Sequence, residues 1–508
     1  METAGKIQRV SDIGWERYKT GIGLFLLTSG ALLVHGYHPF AEDAEIYLPG
    51  VEKVLHPELF PVGREFFAAH ASLTLFPNLV AFSLRVTHSP FEAGLFLWHL
   101  ASVFLLLLAC WELSGKCFPS SGARWCGVAL VAALLTIPVA GTALYVMDQY
   151  LNPRNLAAFA GVFAVVRVLE NKFLRALACL IFAGVVHPLM AAFACSYCAL
   201  LLVMEKCEKK RSAAESQAVR AATAVVCLLP FGISLAPQTS RAYHEAALHH
   251  GFHYIQRWQW YEWLGILAPL VLFWWCSRIA RKRQWHALDR MCRALIIYDL
   301  IYFLAALVVD FPLRFESLAR LQPLRSLHLL YILMFLFVGG YLGEYVLKNR
   351  AWRWLALFVP LSLGMFLAQR SLFPSSAHVE WPGTAPKNEW AQAFLWVRGN
   401  TPLDALFALD PVYMELSGED TIGFRSLAQR SRLADAVKDS GAVSMFPPLA
   451  DQWWTQVQAL KDWKNFQEQD FSRLKAQFGV GWVVLQRSGD ANLDCPYQNG
   501  AVRVCRVP

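Results

Sequence analysis

The sequence predicts an α-helical polytopic membrane protein of about 11 spans, followed by a small α/β domain outside the bilayer. Three observations predict it. Of 508 residues, 56% are hydrophobic and 17% charged, against about 45–50% and 25% in soluble chains. The apolar residues crowd 19–369, while 370–508 has ordinary soluble composition. Lys and Arg then alternate between the connectors of the apolar runs in a way that assigns each a side.

A helix needs about 20 apolar residues to cross the hydrocarbon core. Runs that meet or approach this are 20–37, 93–113, 125–146, 155–169, 176–187, 188–204, 221–237, 261–277, 294–309, 326–346 and 354–369. The pair 176–187 and 188–204 reads as a tight hairpin broken at His187-Pro188. With 1–19 placed in the cytoplasm, the connectors on that side hold 23 Lys and Arg in 78 residues, against nine in 102 on the other. Retention of positive charge inside favours this arrangement. The clusters Lys206, Lys209, Lys210, Arg211 and Arg281, Lys282, Arg283 both fall inside only if 176–204 is a hairpin. Trp258, Trp260, Tyr261 and Trp263 open one span and Trp352 and Trp354 another, where amphipathic rings favour the interface. No small-residue cleavage site follows 21–37, so the expectation is a retained first span.

The net charge of +8 forms no stripe on a soluble face, which argues against a nucleic-acid partner. Ten of the twelve cysteines lie between Cys110 and Cys292, in apolar runs and short connectors. There they read as small packing residues, without a zinc-spaced pair.

The segment 38–92 is too long and too acidic for a plain connector. It opens His38-Pro39-Phe40-Ala41-Glu42-Asp43-Ala44-Glu45. Glu42, Asp43 and Glu45 at the membrane face suit a general base or a cation site; an acidic turn capping a helix is the plainer reading. Within the segment, 51–59 and 66–85 have helical spacing and are expected to lie along the membrane surface. Next, Asp148 to Arg154 forms an external turn, with Asn152-Pro153 starting a helix. Arg154 either pairs with Asp148 or binds an anion, and His187 at the hairpin tip lies on the same side. In 310–325, Arg314, Arg320 and Arg325 run against the charge rule. Guanidinium forks match phosphate, and pairing with Asp310, Glu316 or lipid headgroups is the alternative. His249, His250 and His253 present a possible i, i+4 metal pair but lack the Glu of the zinc-protease pattern. A polar interfacial face is the plainer account. Asp299 is an ionisable group inside a span, with Tyr298 and Tyr302 near enough in sequence to satisfy it.

Past a linker at 374–386, the C-terminal domain reads as helices at 390–398, 431–439, 451–460 and 465–478 and strands at 405–409, 480–485 and 502–507. Cys495 and Cys505 flank an Asn-Gly turn, and outside the membrane a disulfide between them is permitted. No nucleophile–base pair, phosphate loop or dinucleotide fingerprint appears in this domain.

This plan resembles the GT-C superfamily of integral membrane glycosyltransferases: an internal N-terminus, many spans, acids in a long first external loop, and a soluble external C-terminal domain. The resemblance implies sugar transfer from a polyprenyl-phosphate carrier at the external face of the inner membrane. It also implies a first-loop base at Asp43, with Glu42 and Glu45 as rivals, and carrier-phosphate contacts from Arg154, Arg314, Arg320 or Arg325. The acids here read Glu-Asp-Ala-Glu, where the superfamily has a clean pair followed by an aromatic signature. A divalent metal is compatible with these carboxylates and not required by them. Membrane lipids are partners by location. The alternatives are a non-catalytic membrane component and a transporter of lipid-linked saccharide; the transporter predicts internal repeats, and none is found.

Overall fold

The computed structural model describes residues 2–210, 240–309, 318, 320–488 and 493–508. Among these, six helices are long and apolar enough to cross a membrane: Phe91–Cys117, Pro188–Glu208, Trp260–Lys282, His286–Val309, Pro323–Leu347 and Ala351–Leu372. The chain is a multi-pass membrane protein. We label the first nine helices α1 (Glu2–His35), α2 (Ala44–Leu55), α3 (Glu65–Ser72), α4 (Phe76–Thr87), α5 (Phe91–Cys117), α6 (Ser121–Ala133), α7 (Pro153–Leu169), α8 (Phe173–Val186) and α9 (Pro188–Lys210). The expected run 20–37 lies largely in α1, and 155–169 and 176–187 fall on α7 and α8, which are shorter than a full span. The expected span 221–237 lies outside the described residues.

The run 125–146 departs from expectation. The helix α6 ends at Ala133, and the chain continues through Pro138, bridged to Tyr145, with positive φ at Ala140 and Ala143. Proline removes a backbone donor and biases the preceding residue away from helix, so an apolar run that reads as one span becomes half helix, half buried loop. That loop carries Asp148 and Tyr150 toward the site.

Packing follows side-chain size. In the helix Ala351–Leu372, Leu355, Val359, Leu363 and Leu367 repeat every four residues and are all exposed, as expected of a stripe facing lipid rather than water. The run Pro323–Leu347 is instead mostly buried. A Cβ at Gly339 would sit 2.7 Å from the Cys126 carbonyl oxygen and 2.8 Å from Gly127 Cα, so only glycine lets this helix approach α6 so closely. The elements α3 and α4 meet at 87°. If paired they form a broken span or a re-entrant loop, where the sequence led us to expect surface helices.

The C-terminal domain holds five strands: β1 (Leu406–Ala408), β2 (Ser431–Arg432), β3 (Trp482–Gln486), β4 (Tyr497–Gln498) and β5 (Val502–Arg506). Their order is β2-β1-β3-β5-β4, with β1 parallel to β2 and β3, and β5 antiparallel to β3 and β4. Leu406, Ala408, Val483, Leu485 and Cys505 bury one face of it against Phe471 and Leu474 of the helix Glu468–Phe478. Cys495 and Cys505 are joined by a disulfide. The expected helix at 431–439 is instead strand β2 and an extended stretch, and helix begins only at Asp439. Its charged residues are drawn into a buried ionic cluster, and that outweighs local helical preference.

Candidate functional site

The helix α1 ends at His35, Gly36 takes φ +81°, and the chain is gripped at once by the C-terminal part. Tyr37 N donates to the His378 carbonyl and Glu380 N to the Tyr37 carbonyl; Glu42 N donates to Thr421, and Gly423 N to Phe40. The Nδ1 of His38 lies 3.0 Å from Glu380. A strained turn follows, with Glu42 at φ +56°, and Asp43 stands at the N-cap position of α2 without a capping bond from its side chain, which is left for other partners.

Asp43 lies between two cations. Lys438 Nζ, from the C-terminal domain, donates to Asp43 Oδ1 at 3.1 Å and to Glu42 Oε2 at 2.5 Å. Arg154, at the start of α7, places Nη2 3.3 Å from Asp43 Oδ2 and 3.0 and 3.1 Å from the two oxygens of Asp148. The Tyr150 hydroxyl accepts from the backbone N–H of Asp43. Asp43 keeps 27% of its side chain exposed, whereas Arg154 keeps 3%. Burial alone would raise the Asp43 carboxyl, but the Lys438 ammonium and the Arg154 guanidinium outweigh it and hold the group well below the usual carboxylate range. Burial likewise opposes the charge on Lys438, and Glu42 and Asp43 outweigh it and raise the ammonium.

Arg325, beside the start of the helix Leu327–Tyr341, completes the group. Its charge is felt at Asp43, Tyr47, His187 and His328. Phe252 lies 5.4 Å from its guanidinium carbon, and its Nε is buried without a hydrogen-bond partner among the described residues. Arg154 Nε is left in the same state. His187 closes the α8–α9 hairpin, its Nδ1 facing the Met190 N–H at 3.4 Å. Ion pairs thus join Glu42, Asp43, Asp148, Arg154 and Lys438, and Arg325 and His187 lie within range of their charge without a hydrogen bond to them among the described residues. Arg320 takes no part in the site's ion pairs, and Arg314 lies outside the described residues.

Glu45 points elsewhere, into a cluster of five charged side chains, each at most 2% exposed. It accepts from Arg432 Nε at 2.9 Å and Arg425 Nη1 at 3.5 Å. Arg425 also grips Asp439 at 2.8 and 2.9 Å, and Arg432 reaches Asp435 and Asp439. Burial raises the Glu45 carboxyl despite both arginines. Glu52, about two turns further along α2, accepts from Gln429 at 2.9 Å, and burial pushes it well up. A helix of the first loop is therefore bonded along its length to the C-terminal domain.

Lys438 and the Arg425–Arg432 cluster are what sequence reasoning missed. Their trace was the charge density of 430–439, where the sequence reading placed a helix at 431–439. Two other readings change. His249 follows the helix Arg241–Leu248 and does not share a helix face with His253; His250 Nε2 lies 2.9 Å from Ser440 Oγ, and no group of three metal-binding side chains occurs among the described residues. Tyr298 donates to the Phe193 carbonyl and Tyr302 bonds with Ser196, so neither serves Asp299, whose oxygens are buried without a partner among the described residues.

A many-helix membrane half with a mixed sheet seated on its first loop is the class of protein this describes. Solved structures of similar outline include the Archaeoglobus fulgidus oligosaccharyltransferase in the apo form, 13% identical, TM-score 0.47, covering 91% of this chain and 69% of that one. The archaeal oligosaccharyltransferase AglB from the same organism, in complex with an inhibitory peptide and a dolichol-phosphate, is 12% identical, TM-score 0.46, with 93% and 70% covered. The mycobacterial arabinofuranosyltransferase AftD is 13% identical, TM-score 0.45, with 97% and 40% covered. No family model matches the chain, and no curated protein matches it. At this level of similarity the role of each residue rests on the geometry above.

Proposed function

We propose that the protein is a GT-C-type glycosyltransferase of the inner membrane that moves a sugar from a polyprenyl-phosphate carrier to an acceptor hydroxyl at the external face. The N-terminus is cytoplasmic, and the domain 370–508 is external in this reading. One observation carries it: a partly exposed carboxylate, Asp43, held ionised by Lys438 and Arg154, lies within electrostatic range of an arginine, Arg325, whose Nε has no protein partner among the described residues. Asp43 accepts the proton of the acceptor hydroxyl as its oxygen bonds to the anomeric carbon. The bond from that carbon to the phosphate oxygen breaks, and its electron pair leaves with the lipid phosphate. Arg325 meets the charge developing there. The cations that keep Asp43 ionised also make it a weak base, so proton transfer comes late, when the attacking oxygen has become acidic. Arg154, spent on Asp148 and Asp43, positions the carboxylate. Glu45 is structural in this reading, since a base must touch its substrate.

Arg325→Gln tests the phosphate assignment. Transfer from a panel of polyprenyl-phosphate-linked sugars is expected to show a donor KM raised about tenfold or more, with the melting temperature unchanged. A panel in which wild-type protein turns over no donor, in proteoliposomes with both faces accessible, would remove the reading. The pairing of every Asp43 oxygen favours a second one, a non-catalytic membrane component, in which Asp43 only docks the C-terminal domain.

A further inference from the structure

Glu42 and Asp43 are adjacent carboxylates at a membrane face, an arrangement suited to a divalent ion. Hard divalent ions sit about 2.0–2.6 Å from several oxygens at once. The structure sets Lys438 Nζ, 2.5 Å from one of these carboxylates and 3.1 Å from the other, in that place. We infer that Lys438 is a tethered cation filling the position a divalent metal would take between Glu42 and Asp43, so that the site works without metal. This deepens the reading of Asp43 as the reacting carboxylate.

A surface lysine could swing aside and admit an ion. This one is held. Only 12% of its side chain is exposed. Its backbone N–H donates to Asp435 Oδ1 at 2.7 Å, the N–H of Asp439 donates to the same oxygen at 2.9 Å, and the N–H of Asp435 donates back to Asp439 Oδ2 at 3.0 Å. Asp439 is clamped by Arg425 and Arg432 and Asp435 by Arg432, and Arg432 is held in turn by Glu45, two residues after Asp43. The same helix that presents Asp43 therefore fixes, through Glu45, the segment that presents Lys438. On the far side, Arg154 occupies the second oxygen of Asp43. A metal entering here would face a lysine and an arginine in place of the carboxylate oxygens and waters it needs. Like charge at contact range strongly disfavours it.

The test is titration of the full-length protein in detergent with Mn2+, following free Mn2+ by electron paramagnetic resonance and the melting temperature in parallel. Wild type is expected to show no saturable site up to the order of 1 mM. Lys438→Met is expected to gain one site at least about tenfold tighter than that limit, lost again when Asp43→Asn is added. Lys438→Gln, which keeps a side chain able to bond both carboxylates, is the second variant should the first not fold. One tight Mn2+ site in wild type, abolished by Asp43→Asn, would overturn the inference. So would variants that fold and bind no better than wild type. Neither readout uses sugar transfer, so failure of the transferase reading would show separately, as absent turnover with the metal result unchanged.

Discussion

Replacing Asp43 with Asn separates chemistry from architecture, because the structure leaves each of its partners provided for. Lys438 retains Glu42, and Arg154 retains both oxygens of Asp148. No buried cation is stranded, so the large penalty for breaking a buried pair does not apply. What is lost is two ion pairs to a carboxylate that is 27% exposed, and screening limits these to about 1 kcal/mol each, a total of about 1–2 kcal/mol. Removing a general base, by contrast, costs about 10²–10⁴ in rate. The assay is transfer of labelled sugar from a polyprenyl-phosphate donor in proteoliposomes, with expression level and melting temperature measured on the same preparation. The expected pattern is a small thermal loss and a loss of kcat of at least about 100-fold. The pH profile adds a check: the Asp43 pKa is depressed, and the ionised form is lost only as pH falls through that depressed value. The acidic limb of wild-type kcat/KM should therefore lie below the ordinary aspartate value of about 3.9. Transfer within about threefold of wild type at normal protein levels is far outside the range for a lost base, and would refute the reasoning in favour of a docking role.

Three further outcomes are expected. Arg432→Met leaves Glu45 and Asp439 buried with Arg425 as their remaining cation and Asp435 buried without an ion pair among the described residues, and should cost about 3–5 kcal/mol; limited proteolysis should then cut within 370–508, and an unchanged cleavage pattern would count against the cluster as the docking element. Glu52 has a raised folded-state pKa, so the stability it contributes is full below its unfolded value of about 4.3 and is lost as pH rises toward the folded one. Glu52→Gln should therefore gain in melting temperature over wild type between pH 5 and pH 8, and a difference independent of pH would contradict the assignment. Reducing the Cys495–Cys505 bridge, which spans ten residues, should destabilise the C-terminal sheet by about 3 kcal/mol in the chain-entropy account, visible as earlier unfolding under dithiothreitol, and no change on reduction would contradict this account.

The strands β1, β3 and β5 and the helices at 389–400 and 450–459 were legible because each is set by a local apolar pattern and its own punctuation. The break after Ala133 was visible only as Pro138 and Gly141 inside an otherwise unbroken apolar run, where hydropathy spoke louder than turn chemistry. The segment 431–439 was misread for a different reason. Its spacing allows a helix, and nothing local records that Arg432 has its partner Glu45 on α2, and Lys438 its partners Glu42 and Asp43 just before it, nearly four hundred residues earlier.

Hydropathy is a sum over neighbours, so the sequence by itself determined that this chain carries several membrane-length apolar runs and that its last 139 residues have ordinary soluble composition. Which residues meet was decided only in three dimensions. Electrostatic energy depends on distance through space and on the water excluded around each charge, and neither is a property of position along the chain. Glu45 and Asp43 are two residues apart, yet one is sealed against two arginines while the other stays open to solvent beside a lysine from the far end of the protein.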